Sequence, residues 1–462
     1  MLSVCSLSLL IVSLDATIMN VALPSIHRAL PSSIGGLQWV IDAYTLVIAS
    51  VLMLSASTGD RVGRRRMFQI GLVIFLVASL ICGLAPNLGV LIGARALQAV
   101  GGSMLNPMAL SVIRNVFVDP RERAMAVGVW GAVPGISMSL GPIVGGTLVA
   151  AISWRAVFFI NVPIGLIALV LARVVMPESR APAPRRPDPI GQILMVAALA
   201  SLTYGIIGGP SAGWTSAQTL SLGAVSLLAW IMLIHYELGR RQPLLEVRAF
   251  ASAPLSGASA SAIATYASFG GFLFLNTLYL QDVRHLSALA AGVRLLPMAL
   301  ATFVGAPLSG RVVGARGARL PLLCGGAALA VAGIMLTRLS AHTPYIYLAI
   351  SYVLLGGGVG VLNPPITNTA VSGMPPTMAG VAAAVTSTSR QTGQTVGVAV
   401  LGALAGGGLA AVGPGFAHAT HVAWWIVGGL GTVIFVLGGL TTTAWAQGTA
   451  QRAAARFGSA DS

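Results

Sequence analysis

Apolar stretches of about 20 residues, each closed by charged or Pro/Gly-rich punctuation, recur along the whole chain. Fourteen can be marked: 2–27, 38–58, 67–85, 88–113, 124–150, 156–176, 190–209, 218–237, 255–280, 289–313, 318–338, 344–370, 379–411 and 421–446. As helices rising about 1.5 Å per residue, each is long enough to cross a hydrocarbon core roughly 30 Å thick. The pattern predicts an all-α polytopic membrane protein. The first stretch lacks the basic leader of a signal peptide and is followed by many like it, so it reads as a retained helix.

The spacing also divides the chain. Prolines 182, 184 and 187 alternate with Arg180, Arg185 and Arg186 between Pro177 and Pro189, closing off a first group of six segments. Gly101-Gly102-Ser103-Met104-Leu105-Asn106-Pro107 is similar to Gly358-Val359-Gly360-Val361-Leu362-Asn363-Pro364, 257 residues later, and Gly63 matches Gly317 at an offset of 254. Near-equal offsets argue for duplication of a six-helix unit. The expected plan is a six-helix bundle over 1–176, a Pro/Arg linker over 177–189, two inserted helices over 190–237 and a second linker over 238–254. A second six-helix bundle over 255–446 and a tail over 447–462 complete it, giving 6+2+6.

Composition narrows this picture. The chain of 462 residues is 56% hydrophobic and 8% charged, far below the ~25% charged residues of soluble domains. Its net charge of +15 comes from 26 arginines without a single lysine. The charges are scattered over loops rather than gathered on one face, so no nucleic-acid partner is expected. The absence of lysine removes P-loop and Schiff-base chemistry. Cys5, Cys82 and Cys324 lie in apolar segments without a pairing pattern and read as packing residues. His418 and His421 have no carboxylate or cysteine beside them, so no metal is expected. Nineteen arginines fall on loops of one side and five on the other, which puts both termini in the cytoplasm by the positive-inside rule. Trp39, Trp154, Trp214, Trp424 and Trp425 then fall at outer helix ends, as an aromatic belt.

Asp15 stands out against this background. It lies about 20 Å from the start of the first segment, near the bilayer centre, where an acid costs roughly 2.5–3.5 kcal/mol to insert. Such residues face a cavity or a partner and carry function. Asp42, close to the start of the second segment, reads as an outer-interface residue and a second titrating group, and among the eleven acids only Asp15 is expected to lie deep. Arg95 in the fourth segment cannot shed its proton, so within a bundle it must find a carboxylate, a carbonyl or water.

Several stretches together resemble the fourteen-helix drug:proton antiporters of the major facilitator superfamily, and the resemblance covers essentially the whole chain. They are Leu14-Asp15-Ala16-Thr17-Ile18-Met19-Asn20-Val21-Ala22-Leu23-Pro24, Gly59-Asp60-Arg61-Val62-Gly63-Arg64-Arg65-Arg66 and Arg95-Ala96-Leu97-Gln98-Ala99-Val100-Gly101-Gly102. The segment from Pro134 to Gly146, with Gly141, Pro142, Gly145 and Gly146, is similar to the motif that marks antiporters. Trp154–Gly165, Tyr279–Arg284 and Thr388–Gly397 support the same branch; Arg390 in the last reads as snorkelling to the interface. Departures are Ala56, Thr58, Ala99 and Ser137, and Gly314 where the first loop copy has Asp60, which makes any loop latch asymmetric.

The resemblance implies a major facilitator fold in an inner membrane, driven by the proton gradient without a cofactor, with a small-molecule substrate and acting as a monomer. It assigns proton coupling to Asp15, Arg95 and Asp42, and a cytoplasmic gate to Gly59, Asp60, Arg61, Gly63, Arg64 and Arg65. The polar residues expected at a mostly apolar substrate cavity are Asn20, Gln98, Asn106, Asn276 and Asn363. Export of hydrophobic or cationic drugs in exchange for protons is the leading expectation. Export of one metabolite or lipid, or uncoupled facilitation, remains open. A membrane enzyme would need a nucleophile, base or metal cluster, and none is visible.

Overall fold

The computed structural model describes residues 1–117, 119–180, 188–240, 243–375, 378–406 and 415–458. The central part of the Pro/Arg linker, residues 407–411 of the thirteenth expected segment and the last residues of the tail lie outside these.

Every expected apolar segment carries helix. In order these are α1 (Leu2–Ala29), α2 (Ile34–Val62), α3 (Arg64–Leu84), α4 (Leu88–Val116), α5 (Pro120–Ala151), α6 (Ala156–Phe159), α7 (Asn161–Val175), α8 (Pro189–Ala212) and α9 (Ala217–Leu238). Then come α10 (Ala253–Leu278), α11 (Ala288–Arg294), α12 (Leu296–Arg316), α13 (Arg319–Leu336), α14 (Tyr345–Ser372), α15 (Ala379–Gly406), α16 (Phe416–Ala419), α17 (His421–Thr441) and α18 (Ala444–Gly458). Two expected spans are each built from a broken pair, α6 with α7 and α11 with α12, and α10 runs on into a π-helical turn at Tyr279–Val283. Among the described residues twelve helices are long and apolar enough to cross a membrane, thirteen if the bent pair Met125–Ser137 and Leu140–Ala151 counts as one. The remaining expected span is α15.

Helix starts follow local chemistry. The Ser33, Asn87 and Ser216 side chains accept hydrogen bonds from the backbone N–H groups of Gly36, Val90 and Thr219, satisfying donors that a helix N-terminus leaves free.

The described chain forms two compact units: residues 1–196 with 280–293, and residues 197–279 with 294–462. In the first, α3 and α4 cross so closely that a Cβ on Gly101 would lie 2.6 Å from the Gly71 carbonyl oxygen. In the second, α13 and α14 do the same, with 3.1 Å from Gly358 to the Gly325 carbonyl. These glycines match at the offsets of 254 and 257 read from the sequence. Small residues let apolar helices approach when lipid supplies no hydrophobic drive, and the same crossing occurs once in each unit.

Candidate functional site

Among the described residues the first unit encloses one buried ion pair. Asp15 sits at the middle of α1, and its Oδ2 accepts from Arg95 Nη1 at 2.5 Å, with both side chains 1% exposed. Arg95 is fixed from other sides as well: its Nε donates to the Val40 carbonyl at 3.1 Å, and its Cζ lies 4.2 Å from the Tyr44 ring centroid. The guanidinium thus has a carboxylate, a carbonyl and an aromatic face, the partners a permanently charged group requires away from water.

The second carboxylate oxygen is held by amides. Gln98 Nε2 and Asn161 Nδ2 both donate to Asp15 Oδ1 at 3.0 Å. Gln98 also donates to Ser79 Oγ at 2.8 Å and accepts from Arg95 Nη1 at 2.7 Å, so it ties the acid and base together. Five helices therefore converge on the pair: α1, α2 through Val40 and Tyr44, α3 through Ser79, α4 through Arg95 and Gln98, and α7 through its first residue, Asn161. Arg95 and Gln98, three apart on α4, face the same way because that spacing is close to one helical turn. Asn161 stands where the broken sixth span restarts, which aims its side chain inward at the expense of a continuous helix.

The antiporter-type glycines place α1. A Cβ on Gly141 would collide with the Thr17 hydroxyl, and one on Gly145 would lie 3.1 Å from Ile18 Cγ2. Thr17 itself donates to the Ser137 carbonyl at 3.3 Å. Glycines four apart on α5 make a flat face against the turn of α1 just beyond Asp15. On the far side of α5, Gly146 packs against the Ala288 carbonyl and the backbone of Leu289, and the Pro142 carbonyl packs against Gly292.

Asp42 is placed differently from the expectation of an interface residue. It is 0% exposed, eight residues beyond the start of α2 and so about 12 Å inside the helix end. Its Oδ1 is 3.5 Å from the Thr45 hydroxyl, and Oδ2 has no hydrogen-bond partner. Asp15 is therefore not alone among buried acids. The two carboxylates belong to different arrangements: one is paired with a cation, the other is solvated by little more than a hydroxyl.

The loop residues expected at a gate form a compact turn. Asp60 Oδ1 accepts from Arg64 Nη2 at 2.9 Å, four residues on, across the sharp bend at Gly63, whose φ is +121°. A Cβ on Gly59 would strike Met108. Arg61 is exposed. Glu178, from the segment read only as a linker, closes the turn: its Oε1 accepts from the Arg65 backbone N–H at 3.1 Å, and Oε2 lies 3.9 Å from Arg65 Nε. A carboxylate at the N-terminus of α3 complements that helix's dipole.

The expected cavity residues divide between the units. Asn20, 3% exposed, donates to the Ala16 carbonyl of its own helix at 3.1 Å. Gln98 belongs to the ion-pair network. Asn106 is half-buried with an unpartnered Oδ1. In the second unit, Asn276 is fully buried and accepts from the Tyr352 hydroxyl at 2.6 Å, while Asn363 is half-buried in α14. Arg390 has partners within the unit: its Nη2 donates to Thr367 Oγ1 at 2.5 Å, and its guanidinium lies 5.8 Å from the Tyr266 ring centroid. Of the tryptophans expected at outer helix ends, Trp214 and Trp425 are 51% and 61% exposed, while Trp154 and Trp424 are buried, the latter donating to Thr420 Oγ1.

Comparisons with known proteins show the family. The Major Facilitator Superfamily pattern matches residues 5–398. The chain is 35% identical over 398 residues to the multidrug resistance protein Stp of Mycobacterium tuberculosis, covering 86% of this chain and 74% of that one. It is 36% identical over 400 residues to the tetracenomycin C resistance and export protein of Streptomyces glaucescens, with the same coverages, and 32% identical over 406 residues to the methylenomycin A resistance protein of Bacillus subtilis, covering 87% and 86%. Among solved structures, a D-xylose–proton symporter superposes with a TM-score of 0.68 at 14% identity, covering 95% of this chain and 96% of that one. A bacterial homolog of the lysosomal transporter Spinster, inward-facing and unoccupied, gives 0.66 at 16%, covering 98% and 97%. These two show a shared fold.

Proposed function

The chain belongs to the major facilitator superfamily, a multi-pass membrane transporter rather than an enzyme, and on that premise we propose that it exports hydrophobic or cationic drugs in exchange for protons by alternating access. The observation that carries the proton coupling is the buried pair of Asp15 and Arg95 with its amide partners. With Asp15 ionised the pair is neutral. A proton on Asp15 leaves the guanidinium charge uncompensated in a low-dielectric site, a state that favours rearrangement to one where water or another acceptor reaches Arg95. Proton uptake is thereby tied to a change of conformation, and release of the proton restores the pair. Asp42, with its unpartnered oxygen, is a second carboxylate able to take part. Gly59, Asp60, Arg61, Gly63, Arg64 and Arg65 act as the cytoplasmic gate in this reading, and Asn20, Asn106, Asn276 and Asn363 as polar points of substrate contact.

The arrangement we propose is fourteen spans as 6+2+6, in an inner membrane with both termini cytoplasmic, working as a monomer. The repeated glycine crossing and the distribution of arginines support it. The experiment is exchange driven by a pH gradient in proteoliposomes. The wild type and Asp15→Glu are expected to accumulate a fluorescent cationic drug, and Asp15→Asn is not; accumulation by Asp15→Asn at the wild-type rate would remove Asp15 from the mechanism. A second reading, export of a single antibiotic, is favoured by two relatives named for one compound each. A susceptibility panel in a host lacking its own efflux pumps separates the two, since resistance to several unrelated dyes requires the broad reading.

A further inference from the structure

The turn between α12 and α13 repeats the turn between α2 and α3 but lacks its anion. Gly63 and Gly317, 254 positions apart, both take positive φ, +121° and +79°, and in each case an arginine-bearing helix begins within two residues. In the first copy the chain supplies a carboxylate: Glu178 reaches the Arg65 N–H at 3.1 Å and would be 2.7 Å from a Cβ on Gly63. The same offset carries Arg65 onto Arg319. A Cβ on Gly317 would meet nothing within 4 Å, α13 has no side-chain cap, and its first turn holds no acid. Neither Arg316 nor Arg319 takes part in an ion pair among the described residues.

Both arginines instead line a cleft of about 730 Å³, formed within the second unit by the ends of α12, α14 and α17 and the starts of α10, α13 and α18. Its other polar groups include Ser372, Gln447, Gln451 and Thr369, and among the described residues no carboxylate lines it. Thr369 is 4% exposed and its hydroxyl has no hydrogen-bond partner. Two unpaired guanidinium groups, an uncapped helix N-terminus and a free buried hydroxyl make a site for an anion with several acceptor oxygens.

The wall contributed by α18 indicates which anion. Ala446 and Ala453 are buried, whereas Trp445 is 64% exposed and Arg452 is exposed beside the cleft-lining Gln447 and Gln451. An amphipathic helix of this kind, following a membrane span, lies in the headgroup layer, and basic pockets at that depth take anionic lipids. We propose that the cleft binds the phosphate of an anionic phospholipid headgroup, which occupies in the second repeat the place that Glu178 occupies in the first. The bound headgroup joins the α12–α13 turn to α18.

The test uses the full-length protein purified and delipidated, with retained lipid counted by native mass spectrometry after exchange into phosphatidylglycerol, phosphatidylcholine or inorganic phosphate alone. Phosphatidylglycerol is expected to be retained and phosphatidylcholine lost. Arg316→Gln and Arg319→Gln should each weaken retention about fivefold, the effect of one surface arginine on an anionic lipid. Thr369→Val should weaken it without altering the melting temperature in phosphatidylcholine, so that folding and binding are read separately. Equal retention of phosphatidylcholine overturns the proposal. So does an equal loss with Arg311→Gln, which is exposed on α12 outside the cleft. Displacement of phosphatidylglycerol by equimolar inorganic phosphate overturns the lipid assignment in favour of a soluble anion.

Discussion

Asp15 and Arg95, eighty residues apart in sequence, meet in an ion pair of which neither side chain is more than 1% exposed. A pair so placed is expensive to break on one side only, because the survivor is left charged in low dielectric. Arg95→Gln or Asp15→Asn alone is therefore expected to cost about 3–5 kcal/mol of stability. The double variant, neutral and amide-bonded, should recover much of that loss while remaining without proton-driven exchange. A double-mutant cycle on melting in detergent, run beside transport in proteoliposomes, measures both; additive losses in the cycle would mean that the two side chains do not act as a pair.

Asn161 offers a finer probe of the same site. Its amide reaches Asp15 Oδ1 at 3.0 Å, and removal of one hydrogen bond to a charged group costs about 1.5–3 kcal/mol. Asn161→Ala is expected to lose stability in that range and to slow exchange. Asn20→Ala, whose amide bonds only to its own helix, should cost less than about 1 kcal/mol. Equal effects from the two substitutions would remove Asn161 from the site.

Much of this fold was legible because hydropathy reports spans directly: each apolar run became helix, and the offsets between Gly63 and Gly317 and between Gly101 and Gly358 marked a repeat that the α3–α4 and α13–α14 crossings reproduce. Asp15 and Arg95 were visible as charges needing partners. That they were each other's partners was not, since pairing is set by how α1 and α4 cross. Ser79 and Asn161 carried no signal of their own, because a hydroxyl or amide inside an apolar helix is common and can be satisfied by its own backbone. Asp42 was read too near the surface because the apolar run starts at residue 38, whereas the Ser33 cap starts α2 at Ile34 and carries Asp42 inward. Glu178 was hidden by its neighbourhood, a proline- and arginine-rich segment that looks like spacer.

Glycine contacts give a sharper contrast. A Cβ on Gly146 would lie 2.7 Å from both the Ala288 carbonyl oxygen and Leu289 Cα, backbone atoms that cannot swing aside. Gly146→Ala is expected to destabilise by about 1–3 kcal/mol. A Cβ on Gly93 of α4 would meet nothing within 4 Å, so Gly93→Ala should be neutral or stabilise by up to about 1 kcal/mol through helix propensity. Thermal melts in a fluorescence-detected column assay distinguish them. A tolerated Gly146→Ala would mean that α5 and α11 do not meet as closely as the structure has them.

The two hinge glycines separate backbone strain from collision. Gly63 and Gly317 both have φ values that L residues rarely adopt, so alanine at either is expected to cost roughly 1–3 kcal/mol from conformation alone. At Gly63 the new methyl would also press on the Glu178 carboxylate, 2.7 Å from Oε1, and weaken its bond to the Arg65 N–H. Gly63→Ala should therefore destabilise more than Gly317→Ala. Glu178→Ala in the Gly63→Ala background removes the collision and the helix-capping carboxylate together. Because that partly exposed carboxylate contributes under about 1 kcal/mol, the double variant should melt above Gly63→Ala and near Gly317→Ala. If it melts lower instead, the Glu178 contact stabilises the turn more than it crowds it, and the excess cost of Gly63→Ala lies in the backbone.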